Sequence, residues 1–514
     1  MRAAGILLPI FSLPDPYGIG GFSKTAYRFA DFLASAHQTY WQLLPMGATG
    51  YGDSPYQTFS TFAGNPYFIS LETLVDKGLL TKRECAPSAR RTDKDSIDYG
   101  RLYRERFKVL RKAFLKSGFE EEEEYRVFEE KNADWLGEYA LFMALKNARG
   151  GVSFTRWEEP LRLHKKAALE KAGKELSQEI RFQKFLQYEF YSGYMALKKY
   201  ANSKGIKIIG DIPIYVSPDS SDLWASPELF QLSADKTLKA VAGCPPDAFS
   251  ADGQLWGNPL YDWKKHEETG FDWWIRRMRK CLELFDVVRI DHFRGFDSYY
   301  SIPFGDKTAK GGHWEKGPGI ALFKAMKESL GEMNVIAEDL GMITDSVRAL
   351  VKRTGFPNMK VLEFAFDASD RYGTNEYLPH RYSSNCVVYT GTHDNETLSG
   401  WIKSISPKER KAVFEYLDLH SRNPEKLCYA LIRLALSSVA DTAVIPMQDY
   451  LCLDNSARMN LPSTLGGNWV WRMSEGAFGD ELAAKIRSLT DMYGRFKPEK
   501  KRRSGRKKNT VNEK

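Results

Sequence analysis

Cysteine is scarce in this chain: Cys85, Cys244, Cys281, Cys386, Cys428 and Cys452 are all there is among 514 residues. They are widely scattered and form no C-x-x-C pair, which excludes a zinc finger, a thioredoxin-like site and a disulfide framework. Long apolar runs are missing as well. No stretch approaches the ~20 apolar residues of a membrane span, and the apolar run in the opening MRAAGILLPIFSLPDPYG is too short for a signal sequence. The expectation is a soluble, cytoplasmic protein with no membrane partner. The eight histidines show neither H-x-H nor H-x-x-x-H spacing, which weakens a metal reading. No internal repeat is visible. Charge of one sign is absent from the body: residues 495–514 hold ten Lys or Arg and two Glu, and the rest of the chain has 64 residues of each sign. The net charge of +8 therefore belongs to residues 495–514, of which 497–514 is read as a solvated basic tail, and a nucleic-acid partner is not expected.

What is present is a recurring short β-branched run that ends in polar or charged residues. There are eight, at 5–11, 40–46, 206–216, 286–295, 334–341, 359–367, 386–395 and 442–451. Nearly continuous apolar runs mark strands buried on both faces. Amphipathic stretches of helical period separate them, as at 320–331 and at 344–355, where Thr344 is placed to cap and Gly355 to close the helix. Eight such alternations predict an α/β fold, a closed (β/α)8 TIM barrel. An open doubly wound sheet would want G-x-G-x-x-G after its first strand, which is lacking. The spacing is uneven, so about 50–205 is read as an insertion subdomain, and the Pro-, Gly- and Asp-rich stretch 243–263 as a lid loop. On this reading residues 1–496 form one catalytic unit. Aromatics at 13%, including 12 Trp and 26 Tyr, hint at flat faces for sugar rings.

The active site of such a barrel lies at the C-terminal strand ends. Asp211, Asp291, Glu338 with Asp339, and Asp394 stand there, with Arg289, His292 and His393. One acid at a strand end ordinarily caps the following helix; several converging beside Arg and His point to chemistry. Metal-assisted chemistry on phosphates or enolates is one reading. Glycosyl transfer is the other, and needs one ionised and one protonated carboxyl across the scissile bond, ~5–5.5 Å apart when configuration is retained. Arg289 and Asp291, two apart on a strand, share a face, so the guanidinium is expected to keep Asp291 ionised as a nucleophile. Glu338 follows apolar NVIA, where desolvation would raise its pKa, as an acid/base requires. Asp394 and the two histidines suit sugar hydroxyls.

RIDHFRG (289–295), AEDLG (337–341) and GTHDNET (391–397) resemble three core motifs of the α-amylase clan, in which the matching residues are nucleophile (Asp291), acid/base (Glu338) and transition-state stabiliser (Asp394). WQLLPMGATGYGDSPYQTFSTFAGNPY (41–67), GDIPIYV (210–216), PPDAFSADGQLWGNP (245–259) and RMNLPSTLGGNW (458–469) narrow the resemblance to the amylomaltases, the 4-α-glucanotransferases of glycoside hydrolase family 77. It runs from about residue 5 to 472 and does not include the tail. It implies a barrel with insertions and no C-terminal β-domain, no metal and no organic cofactor. It implies transfer of α-1,4-glucan segments to the 4-hydroxyl of a second glucan or of glucose by retaining double displacement; the sequence is equally compatible with a monomer and a homodimer. Tyr56, Ser54, Asp247, Trp256, Arg289, Asp339, His393 and Asn460 are implied substrate contacts, and Tyr51 part of a secondary glucan surface.

Overall fold

The computed structural model describes residues 2–50, 52–89, 95–246, 250–367, 370, 373–421, 423–464 and 466–497. Tyr51, Asp247 and the tail beyond Lys497 lie outside the described residues. Twelve strands occur among them: β1 (Ala3–Leu7), β2 (Tyr40–Gln42), β3 (Lys207–Pro213), β4 (Ala240–Cys244), β5 (Gln254–Pro259), β6 (Val287–Asp291), β7 (Ser298–Pro303), β8 (His313–Lys316), β9 (Val335–Ala337), β10 (Asn358–Val361), β11 (Cys386–Tyr389) and β12 (Thr442–Pro446). Eight of them close a parallel barrel in the order β1-β2-β3-β6-β9-β10-β11-β12, with β12 pairing back onto β1. These are the eight runs legible in the sequence.

Alternation along each strand explains the apolar runs. Leu7, Ile209, Ile336, Met359, Val361, Val387, Tyr389 and Val444 form one buried cluster that fills the barrel. Their neighbours Ile6, Ile208, Val288, Ile290, Val388 and Ile445 belong to the large outer core under the helices. Toward the C-terminal end the interior turns polar, and its polar side chains pair with one another. Tyr389 Oη donates to Gln42 Oε1 (2.8 Å), and Arg289 Nη1 donates to both Asp211 oxygens (2.7 Å each). A buried ionic layer of this kind is tolerated only when its members are mutually satisfied.

The helices begin and end where local chemistry directs. Asp345–Thr354 is capped by Thr344, whose Oγ1 accepts from Val347 N, and stops at Gly355 in the left-handed conformation (φ 74°). The region between β2 and β3 is helical, ending in the 27-residue helix Ser177–Ser203. That helix packs both on the helices of its own region and on the barrel, against Lys24–Ser35 and β3. Residues 243–263 are not irregular throughout, contrary to the reading as a loop. β4 and β5 pair as an antiparallel ribbon, joined by β7 and β8 in a four-stranded sheet, β5-β4-β7-β8, on the rim. Glycine and proline in these short strands conceal the two-residue period. At the other end of the barrel Arg495 is buried and donates to carbonyls of Ala3, Leu436 and Ala440 at 2.7–3.1 Å, tying the last helix region to β1 and β12. No helix among the described residues is long and apolar enough to cross a membrane.

Candidate active site

β6 supplies the centre. Its alternation sends Arg289 into the barrel and leaves Asp291 at the mouth, on the same side. Arg289 Nη2 lies 3.0 Å from Asp291 Oδ1. The guanidinium is only 3% exposed and stands between Asp211 and Asp291, with Nε on Met359 Sδ (3.3 Å). Expected as a substrate contact, Arg289 instead faces the two carboxylates, because its donors are drawn to the buried charge of Asp211. Asp291 keeps 30% of its side chain exposed, so the arginine positions it while the cleft stays open to a ligand.

Glu338 ends the adjacent strand, β9. Its Oε2 accepts from the backbone N–H of His292 (2.6 Å) and its Oε1 from that of Leu340 (2.7 Å). The first bond requires the left-handed turn at His292 (φ 54°), which brings the residue after Asp291 over the glutamate. Burial, and then the charge of Asp291, push Glu338 up to about 7 against the pull of Arg289 and those two amides. Burial also raises Asp291, to about 6, with Arg289 pulling it back. The guanidinium, expected from the sequence to keep Asp291 ionised, does pull its value down, but burial outweighs it. The order is what matters chemically: two coupled carboxyls share protons, and the deeper Glu338 holds its proton to higher pH.

Asp394 follows β11 and is pinned from three sides. Asn460 Nδ2 donates to its Oδ1 (2.6 Å), His393 Nε2 lies 3.4 Å from its Oδ2, and Arg458 Nη2 donates to its backbone carbonyl (2.8 Å). Burial would raise its pKa, but His393 and Asn460 hold it well below the usual carboxylate range. Burial disfavours the imidazolium of His393, yet the Asp394 charge outweighs that and raises His393. The His393 ring stacks on Tyr56 (centroids 5.1 Å apart, 19°), and Trp469 leans on both. Tyr56 Oη donates to Asp211 Oδ2 (2.7 Å), which joins the loop after β2 to the arginine layer. Burial, and then Asp211, keep that phenol protonated.

The loops close on this centre from two sides. Ser54 Oγ accepts from Tyr56 N (3.3 Å) and shapes the turn that presents the tyrosine. Gln57 Nε2 donates to Asn258 Oδ1 (3.2 Å), linking that loop to the β4–β5 ribbon. Trp256 on β5 stands edge-on to His292 (4.7 Å, 89°). Burial pushes His292 down to about 3, so it is a neutral ring, and its buried Nε2 has no partner among the described residues. Asp339 is turned inward: its oxygens accept from Met359 N (3.0 Å) and Asn358 Nδ2 (3.2 Å), tying β9 to β10. The structure thus brings Asp291, Glu338, Asp394, Arg289, His393, Tyr56 and Asn460 together, with Trp256 and Ser54 on the surrounding loops. Sequence reasoning missed Asp211 as the acceptor shared by Arg289 and Tyr56, Arg458 as a support of Asp394, and Trp469 as a support of His393 and Tyr56. The arginine and tryptophan lie in the RMNLPSTLGGNW segment, whose spelling alone does not show that it folds back over the residues after β11.

A family model described as 4-alpha-glucanotransferase matches residues 8–477. A 4-alpha-glucanotransferase of Clostridium butyricum is 50% identical over 489 residues, 95% of this chain and 99% of its own. One of Thermus thermophilus is 47% identical over 505 residues, 96% and 99% of the two chains. Among solved structures, an amylomaltase from Streptococcus agalactiae in complex with acarbose superposes with a TM-score of 0.93 at 40% identity, covering 97% of this chain and 100% of that one. An amylomaltase from Corynebacterium glutamicum, at 19% identity and a TM-score of 0.76, shares the fold over 96% of this chain and 74% of its own.

Proposed function

The chain belongs to the 4-alpha-glucanotransferase family, glycoside hydrolase family 77, and from that premise we propose how its own residues carry the transfer. Asp291 attacks the anomeric carbon of an α-1,4-glucan while Glu338 gives its proton to the departing glycosidic oxygen. The C1–O4 bond breaks, a C1–Oδ bond to Asp291 forms, and the released chain end leaves with the proton. The 4-hydroxyl of an acceptor glucan, or of glucose, then enters. Glu338 takes its proton, the new C1–O4 bond forms, and Asp291 is released with the α configuration restored. Asp394, held ionised by His393 and Asn460, binds hydroxyls beside the reacting carbon and stabilises its positive charge in the transition state. Tyr56 and Trp256 flank the sugar chain, and the neutral His292 offers its unpartnered Nε2 to a hydroxyl.

The observation that carries this reading is the division of labour between two adjacent carboxyls. Glu338 is buried, backbone-bonded and holds its proton up to about 7; Asp291 is open to the cleft and faces a guanidinium. Capture by a sugar in preference to water is favoured by the joined loops, Gln57 to Asn258, which narrow the cleft over the intermediate. No disulfide forms among the six cysteines, which suits a reducing compartment, and the cytoplasm is the proposed location. Incubation with maltotriose alone tests the reading. A ladder of shorter and longer maltooligosaccharides with free glucose and almost no gain in reducing ends supports it. A rise in reducing ends with no product longer than maltotriose makes the chain a hydrolase and overturns it.

A further inference from the structure

Beneath Asp394 the barrel rim holds two acids that the transfer steps do not use. Asp449 lies in the short helix after β12 and is well partnered, accepting from Thr390 Oγ1 (2.6 Å) and Leu398 N (2.9 Å). Glu363, in the turn Leu362–Phe364 after β10, is not. Its Oε1 is buried without a hydrogen-bond partner among the described residues. That oxygen lies against Gly391, where an added Cβ would stand 2.7 Å away, so the glycine makes room for the carboxyl. Among the described residues the polar side-chain neighbour of Glu363 is Asn395, which lies against the same glycine. Asn395 Oδ1 accepts from both Thr392 N (3.0 Å) and Thr392 Oγ1 (2.8 Å), which leaves its Nδ2 for the glutamate. Thr392 Oγ1 in turn accepts from the backbone N–H of Asp394 (3.3 Å). A continuous path thus runs from Glu363 through Asn395 and Thr392 to the residue that faces the sugar.

The charged groups facing Glu363 are Asp449, Glu396 and, more weakly, Arg458. Among the described residues no cation is hydrogen-bonded to it. A carboxylate here would bury a negative charge beside like-charged neighbours, and protonation removes both that charge and the repulsion. Burial first, and then Asp449, accordingly push Glu363 well above its ordinary value.

We propose that Glu363 is a positioning residue: its carboxyl, seated against Gly391, holds Asn395 and through it the turn presenting Asp394. The inference rests on the role given above to Asp394. Neutrality and reach are the requirements, so each can be altered alone.

The experiment compares kcat and KM for maltotriose disproportionation, with melting temperatures, in Glu363→Gln, Glu363→Ala, Glu363→Asp, Asn395→Ala and the Glu363→Ala/Asn395→Ala double variant. Glu363→Gln keeps shape and neutrality and is expected to stay within about threefold of wild-type kcat. Glu363→Ala and Glu363→Asp, which fall short of Asn395, are expected to lose about 10- to 100-fold in kcat at nearly unchanged KM, the cost of a slightly displaced group. The double variant is expected to be no worse than the poorer single one, because both changes break one path. If Glu363→Ala does not fold, Glu363→Asp carries the same expectation. A loss in Glu363→Gln as large as in Glu363→Asp, wild-type kcat in Glu363→Asp, or additive losses in the double variant would overturn the proposal. A wild-type kcat in Asp394→Asn would instead remove the role of Asp394, and is read separately.

Discussion

Replacing Arg289 by methionine tests the arginine layer on which the site is built. The change removes one charge from between two carboxylates and keeps a side chain of similar length. Asp211 suffers first, because its side chain is fully buried and its partners are Arg289 and Tyr56. Breaking a buried pair in this way costs about 3–5 kcal/mol of stability, since a charge is left behind. Asp291 is affected through its titration. Unit charges ~4 Å apart attract by about 4 kcal/mol at an effective dielectric constant near 20. With the carboxylate 30% exposed, solvent leaves roughly half of that, ~2 kcal/mol or ~1.5 pH units. The guanidinium favours the ionised nucleophile, so its loss raises the Asp291 value from about 6 to roughly 7.5. At pH 6.5 the ionised fraction then falls from roughly three-quarters to one-tenth, and kcat/KM drops about eightfold from this cause alone. The assay is the pH profile of maltotriose disproportionation together with thermal melting. Arg289→Met should melt lower, with its acid limb moved upward, and adding Asp211→Asn should recover most of the stability and little of the rate. An unmoved acid limb with an unchanged melting temperature would refute the reasoning.

Wild-type kcat/KM is expected to be bell-shaped in pH. Asp291 must be ionised, so activity falls as pH drops through about 6; Glu338 must be protonated, so activity falls as pH rises through about 7. A profile flat from pH 5 to 9 would contradict both assignments. Asn460→Ala removes the 2.6 Å bond to Asp394. With that carboxylate half exposed, a loss of ~1 kcal/mol, about fivefold in kcat, is expected, measured by steady-state kinetics at constant pH. Arg495→Ala takes the guanidinium away from the buried carbonyls of Ala3 and Ala440, while Leu436 O keeps its bond from Arg2. It should lower stability by about 3 kcal/mol or more in denaturant melts, with kcat at low temperature unaffected because Arg495 lies at the opposite end of the barrel.

The barrel was legible because its strands are buried on both faces and announce themselves as apolar runs, even β9, which is only Val335–Ala337. The acids were legible because each ends such a run. What stayed hidden depends on contacts between distant segments. Nothing near Tyr56 shows that its hydroxyl reaches Asp211, 155 residues away. The raised value of Asp291 was hidden for a related reason: the neighbouring Arg289 is visible in the motif, but the depth of burial is set by the whole rim. The four-stranded sheet was missed because β4 and β5 carry Gly243, Gly257 and Pro259, which blur strand alternation. Glu363 was passed over because the run 359–367 reads as one apolar strand, whereas β10 ends at Val361 and the glutamate lies in the turn beyond it.

The covalent glucosyl-enzyme is the most direct object to measure. In Glu338→Gln, a maltosyl fluoride donor needs no acid to release its leaving group, while the second step lacks its base. Intact-mass and peptide mass spectrometry after a short incubation should find one maltosyl group on the peptide containing Asp291 and none in Asp291→Asn. Full turnover of the fluoride with no adduct, or an adduct on another residue, would contradict Asp291 as the nucleophile.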